Sequence, residues 1–158
     1  MAKKNGKARA PSAIEVLEED HDYVKKAYRA FQKLDPHEDL LDIQALVEQV
    51  CAALKVHMRL EEEILYPAAR KALSEEDLIE EAEIEHDAAK TLIRSLGRMK
   101  PKDPKYAASF TVLCEYIEHH VKEEEDEMFP KLRRSGINLR ALGAKLMARK
   151  ARLARPSN

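Results

Sequence analysis

The chain has 158 residues, a formal net charge of -1, 36% charged residues, 4 glycines and 5% aromatics. That length suits one domain with its own core, and the bias to Glu, Lys, Leu, Ala and Arg belongs to long helices. No apolar run approaches a membrane span, the basic start MAKKNGKARAPSA lacks the apolar stretch of a secretory signal, and two cysteines without framework spacing point to a reducing, cytoplasmic setting.

Charge is unevenly spread along this nearly neutral chain. Residues 11–130 hold all 29 acidic residues against 15 basic ones, whereas residues 1–10 and 131–158 carry the other 13 basic residues and no acid. With little aromatic or Gly-rich recognition chemistry, this reads as basic ends leaning on an acidic body, and neither nucleic acid nor a membrane is expected as a partner.

Residues 1–11 are expected to form a disordered basic N-terminus, and 12–134 the folded bundle. Ser12 followed by Glu15 is a capping-box pattern, and the first helix then shows an apolar stripe of Ile14, Leu17, His21, Val24, Tyr28 and Phe31, ended by Asp35 and Pro36. The second reads Ile43, Val47, Val50, Leu54, His57, Glu61 and Ile64, with Pro67 as its end or a kink. Ser74 opens the third, with Ile79, Ala82, His86, Ala89, Ile93 and Leu96 on one face and Gly97 as its stop. After the loop PKDP the fourth carries Phe110, Leu113, Ile117, His120, Glu124 and Met128 before Pro130. Stripes of about three heptads with short connections predict an all-α, antiparallel up-down-up-down four-helix bundle. Residues 135–158 form a basic amphipathic tail, in which Leu139, Leu142, Leu146 and Leu153 predict a further helix docked on its own bundle or on a sister subunit.

Four histidines and two glutamates stand on these stripes where Leu or Ile would be expected. Left unpaired, buried polar groups cost roughly 1–3 kcal/mol each, and a buried carboxylate costs more. One such histidine is ordinary; six polar groups in matching positions on four helices need a common cause.

The stretches HMRLEEEILYP at 57–67 and HVKEEEDEMFP at 120–130 repeat one another, superposing His57 on His120, Glu61 on Glu124 and Tyr66-Pro67 on Phe129-Pro130. Likewise EEDHDYVK superposes on EIEHDAAK, with His21 on His86. Two hairpins related by a pseudo-twofold axis would bring the two His-x-x-x-Glu pairs together inside the bundle, since i and i+4 share a helix face. Four imidazoles and two carboxylates around one cavity suit iron, manganese or zinc, and two carboxylates can bridge two cations. The repeat thus writes half of a dinuclear metal site twice.

His21, His57-x-x-x-Glu61, His86 and His120-x-x-x-Glu124, in that order, resemble the hemerythrin family in its HHE cation-binding branch. The resemblance covers roughly residues 12–130, and SGINLRALGAKLMARK is similar to the tail of many bacterial members. It implies two iron ions with an oxo, hydroxo or water bridge, with zinc or manganese as alternatives. His21, His57, His86 and His120 would be terminal ligands, and Glu61 and Glu124 bridges. Family members bind oxygen, sense oxygen or iron, or handle nitric oxide and peroxide, so the implied partner is a small diatomic ligand or peroxide, taken by a monomer or homodimer.

The oxygen carriers of that family have a fifth histidine one turn after the third-helix histidine. Here Lys90 holds that position, and protonated lysine is a poor ligand. Their last carboxylate also falls five residues after its histidine, a slot held here by Glu125; Glu124 is preferred because it matches Glu61 and lies on the stripe. His37, in the loop DPHED, could supply a fifth nitrogen, but loop histidines are usually solvated. A missing fifth imidazole disfavours simple reversible oxygen carriage and leaves room for reaction with an oxidant.

Two other readings compete. Glu18-x-x-His21 and Glu83-x-x-His86 match the motif of ferritin-like di-iron carboxylate proteins, but leave His57 and His120 without a task; Glu18 and Glu83 read better as boundary residues or as acceptors orienting an imidazole. A non-metal helical adaptor acting through its basic tail is the other. The bland expectation for Cys51, Cys114, Tyr66 and Phe129 is core filler, with the two aromatics able to shield the site. For His119, Asp22 and Asp87 it is a solvated surface, and for Lys25 and Lys90 pairing with nearby acids. No substrate pocket or reductase-docking motif is visible, so a metal- and oxygen-binding protein is expected ahead of an enzyme.

Overall fold

Ser12 starts the first helix through both halves of the capping box: its Oγ accepts from the Glu15 amide at 3.2 Å, and its own amide donates to Glu15 Oε2 at 2.6 Å. The computed structural model describes residues 9–155; residues 1–8, most of the segment expected to be disordered, and 156–158 lie outside the described residues. The described elements are α1 (Ala13–Phe31), α2 (Leu40–Leu60), α3 (Tyr66–Ala72), α4 (Glu76–Arg98), α5 (Tyr106–Glu123), α6 (Phe129–Arg134) and α7 (Leu139–Leu153). No strand occurs among the described residues.

Neither Pro67 nor Pro130 ends its helix. A π-helical turn at Glu61–Leu65 joins α2 to α3, and another at Glu124–Met128 joins α5 to α6. The Tyr66 amide donates to the Glu61 carbonyl and the Phe129 amide to the Glu124 carbonyl, five residues back. Each proline thus falls in the first turn of a fresh α-segment, where its missing N–H is tolerated. The inserted residue also shifts the stripe: Leu65 is fully buried, and Ile64, expected on the core face, is only partly so.

The third long helix begins at Glu76, two residues after Ser74, with no side-chain cap. Gly97 lies inside its last turn rather than stopping it; the chain turns extended at Met99, just ahead of Lys100 and Pro101.

α1 packs against α2 and α5, and α4 packs against α5 and the α2–α3 rod, which closes the two hairpins into a four-rod bundle. Its apolar interior is in two layers, one around Tyr28, Phe31, Val50, Leu54, Phe110 and Leu113, the other around Ile14, Leu17, Leu60, Ile79, Phe129 and Leu132. The buried histidines and glutamates lie in the chain between the contributions to these layers.

The tail forms α7, which lies on α1 and α2 and buries Leu142 and Leu146. A Cβ on Gly143 would sit 2.4 Å from the Pro11 carbonyl oxygen and 2.7 Å from Ser12 C, so only glycine permits this approach. Four basic residues of 131–155 meet the acidic body: Lys131 with Glu75, Arg133 with Glu18, Arg149 with Glu63 and Lys150 with Asp20. The uneven charge therefore closes on itself here.

Candidate metal centre

His21 (α1), His57 (α2), His86 (α4) and His120 (α5) bring their Nε2 atoms inward, while Glu61 and Glu124 contribute carboxylates from the first residue of each π turn. All six are buried, at 0–5% exposure. They form two overlapping ligand groups, His21/His57/Glu61/Glu124 and His86/His120/Glu61/Glu124, each with its donor atoms within 4.8 Å of one another. The glutamates belong to both groups. Glu61 sets Oε1 at 2.9 Å from His57 Nε2 and Oε2 at 3.0 Å from His86 Nε2; Glu124 sets Oε2 at 3.4 Å from His21 Nε2 and Oε1 at 3.1 Å from His120 Nε2. The structure thus brings the six sequence-predicted residues to one place, with each carboxylate spanning both pairs of imidazoles.

Each imidazole is held from behind by a carboxylate on a neighbouring element. Nδ1 of His21 meets Glu125 at 3.0 Å, that of His57 meets Asp20 at 3.1 Å, that of His86 meets Glu62 at 2.9 Å, and that of His120 meets Glu85 at 2.9 Å. A proton on Nδ1 donated outward leaves the inward Nε2 with a free lone pair, the tautomer that binds a cation. Lysines back three of these acceptors: Lys25 on Glu125 at 3.2 Å, Lys90 on Glu62 at 2.6 Å, and Lys150 of α7 on Asp20.

Whether this donor set fits a cation can be judged from its own hydrogen bonds. His21 and His57 face each other Nε2 to Nε2 at 3.2 Å, and His86 and His120 at 3.1 Å. Two neutral imidazoles that each donate from Nδ1 present lone pair to lone pair at such a distance. Glu61 Oε1 and Glu124 Oε2, although close to imidazole nitrogens, are buried with no hydrogen-bond partner among the described residues. Converging lone pairs and orphaned carboxylate oxygens are what a shared cation would satisfy. Without one, protons fill the role. Burial works against a charged His57, but Glu61, Asp20 and Glu124 outweigh it and push its pKa up to about 10. The same opposition, with Glu124, Glu61 and Glu85 on the raising side, takes His120 up to about 12. Burial would raise Glu61, yet His57, His120 and His86 hold it well below the usual carboxylate range.

Sequence reasoning missed the hydroxyl of Tyr66. It lies 2.8 Å from Glu124 Oε1, 3.2 Å from Glu61 Oε2 and 3.1 Å from His86 Nε2, so Tyr66 is part of the site and not only filler. Burial and the two carboxylates raise its pKa well above the ordinary value, which keeps it a neutral phenol beside these groups. Residues five apart on a regular α-helix point about 140° away from each other, and the π turn is what returns Tyr66 to the face of Glu61. Its counterpart Phe129 stacks on His21, with ring centroids 5.8 Å apart and planes 1° apart.

The other expected positions resolve simply. Glu124 is in the site, whereas Glu125 lies behind His21. Glu18 and Glu83 face outward onto Arg133 and Arg70, so they orient no imidazole and the ferritin-like pairing is not assembled. His37 is exposed in the α1–α2 loop and joins neither ligand group. Cys51 and Cys114 are buried thiols in one apolar layer, with burial pushing Cys51 up to about 11 and Cys114 further still. His119 is exposed and pairs with Glu123 at 3.1 Å.

Comparison with known proteins agrees with this geometry. The profile of the hemerythrin HHE cation binding domain matches residues 12–132, more than three quarters of the chain. The chain belongs to the hemerythrin HHE family. A solved hemerythrin HHE cation binding domain-containing protein from Mycobacterium kansasii is 28% identical, with a TM-score of 0.76 over 90% of this chain and 87% of that one. A protein of Nostoc sp. called a DNA nickase is 29% identical over 119 residues; the match takes in 75% of this chain but only 33% of that protein. This HHE chain therefore spans about a third of the length of that relative. None of its described helices is long and apolar enough to cross a membrane.

Proposed function

We propose that this HHE protein holds two iron ions between its hairpins and binds or reduces a small oxidant such as oxygen, peroxide or nitric oxide. One observation carries the reading: two ligand groups that share both glutamates, with an orphaned oxygen on each glutamate. His21 and His57 would hold one ion, His86 and His120 the other, and Glu61 and Glu124 would bridge them. Tyr66 stands within reach of the second. Bound iron supplies electrons and open positions for a small ligand.

The chain's own residues do the rest. Asp20, Glu62, Glu85 and Glu125 fix the tautomer of each imidazole and raise its basicity. The apolar layers keep bulk water away, which strengthens every charge interaction between them. The buried Tyr66 hydroxyl holds a proton among the carboxylates, placed to donate a hydrogen bond to an inward-facing oxygen.

Loading with ferrous iron under anaerobic conditions, admitting air and then purging with inert gas tests the reading in the visible spectrum. Bands that appear and fade on purging mark reversible binding, and bands that persist mark oxidation of the pair. A spectrum indistinguishable from that of free iron in the same buffer would overturn it.

A further inference from the structure

A cavity touches all four inward-facing imidazoles and continues between α1 and α2 along Val24 and Leu54, with Ile117 of α5 opposite. It leaves about 20 Å³ for the centres of water-sized molecules, room for one water or one diatomic. On the outside a groove of about 500 Å³ runs between this hairpin and α7, edged by Lys150 and Ala154. The cavity and the groove share three lining residues: Asp20, Tyr23 and Ala53. Tyr23 is 44% exposed, so this shared wall is one side chain thick at the surface.

The wall is not duplicated with the rest of the site. By the superposition that puts His21 on His86 and His57 on His120, Tyr23 falls on Ala88 and Ala53 on Tyr116, so the large and small side chains are exchanged between the helices, and neither Ala88 nor Tyr116 lines the cavity. The interior is one-sided in the same sense. Both orphaned carboxylate oxygens belong to the His21/His57 group, while the Tyr66 hydroxyl takes up the room beside His86.

We propose that small neutral ligands reach the site through the α1–α2 seam, at the wall of Tyr23, Ala53 and Asp20, and arrive on the His21/His57 side. Lys150 is a positioning residue for this wall: from α7 it holds Asp20, which in turn holds His57. The throat behind the wall is apolar, so it admits a diatomic more readily than a hydrated anion, which would lose its water there. The proposal rests on the metal-binding reading, and its test separates the two.

The probe is nitric oxide, followed by stopped-flow absorbance on ferrous-loaded full-length protein. Ala53→Trp is expected to slow association and dissociation together by about tenfold, with the equilibrium constant and iron content unchanged. Ala88→Trp, at the position of the other hairpin that matches Tyr23, should leave both rates alone. Tyr23→Ala opens the wall and Lys150→Met loosens it; both should raise the two rates together, which keeps the proposal testable should Ala53→Trp fail to fold. Iron-loaded variants that bind nitric oxide at wild-type rates, or equal slowing by Ala88→Trp, would overturn the route alone. Wild-type protein that takes up no iron would overturn the metal-binding reading and the route with it.

Discussion

The first hairpin, α1 with α2 and α3, and the second, α4 with α5 and α6, place the same ligands at the same spacing, and they differ in what surrounds them. On the first side Asp20, behind His57, is held by Lys150 of α7; on the second, Glu85, behind His120, has Glu123 as its neighbour. Burial and Glu85 raise the Glu123 carboxyl, the reverse of what Lys150 does to Asp20. Tyr66 reaches across to His86, and its counterpart Phe129 offers His21 only a ring face. The repeat places the ligand residues twice, and single residues outside that match, together with α7, make the two halves unequal. On the proposed reading, the shared carboxylates would set whether metal binds, and the unshared neighbours how the two positions differ.

The largest way to break the comparison is to remove one imidazole from each half. His57→Ala/His120→Ala should lose metal and, at a thousandfold excess of metal over Kd, the stabilisation of about 4 kcal/mol that goes with it, a fall of roughly 8–16 °C in melting temperature. A melting curve that responds to metal as the parent does would contradict the assignment. The parent's own response should depend on pH. In metal-free protein His57 keeps its proton up to about 10, above its ordinary 6.5, so the stability it contributes is complete below 6.5 and drains away as pH rises through about 10. A bound cation replaces that proton, so the rise in melting temperature on adding metal should grow between pH 6.5 and about 9. A constant or shrinking increment in calorimetry would go against the lone-pair geometry.

A smaller effect separates the halves. Asp20→Ala and Glu85→Ala each release one imidazole and should each weaken metal binding tenfold to a hundredfold, as outer carboxylates commonly do. They should affect different positions, giving a two-step isotherm in which opposite steps are weakened. Identical isotherms would mean that the halves are not distinct. Gly143→Ala pushes α7 off Pro11 and Ser12 and should cost about 1–3 kcal/mol on chemical denaturation. It should also mimic loss of Lys150 at the Asp20 position, and unchanged stability would mean that α7 is not seated as described. Tyr66→Phe is the mildest, with a cost near 1 kcal/mol. It removes the hydroxyl without emptying the core, so it should alter the visible spectrum of loaded protein while melting hardly moves; an unaltered spectrum would separate Tyr66 from the centre.

Much of this was legible in the sequence because the ligands break a strong pattern. A histidine on an apolar stripe at i, i+4 from a glutamate stands out against α-helical periodicity, and the internal repeat doubles the signal. What was not legible depended on departures from that periodicity or on neighbouring helices. Tyr66 is out of phase with Glu61 until a π turn adds a residue, and the only hint was the aromatic-proline pair repeated after each glutamate. Asp20 and Glu85 serve imidazoles on other helices, so their role shows only once the rods pack; Glu18 and Glu83, better placed by spacing on their own helices, were claimed by arginines instead. Ser74 and Gly97 carried standard start and stop chemistry, and the chain overrode both within a turn.

The central claim is that the repeat builds one centre for two ions through its shared glutamates. Its most direct test is an anaerobic ferrous titration with elemental analysis of the parent and of Glu61→Ala/Glu124→Ala. The account predicts an end point of two ions per chain in the parent and loss of both in the variant, which keeps all four histidines. One ion in the parent, or two still held by the variant, would contradict it.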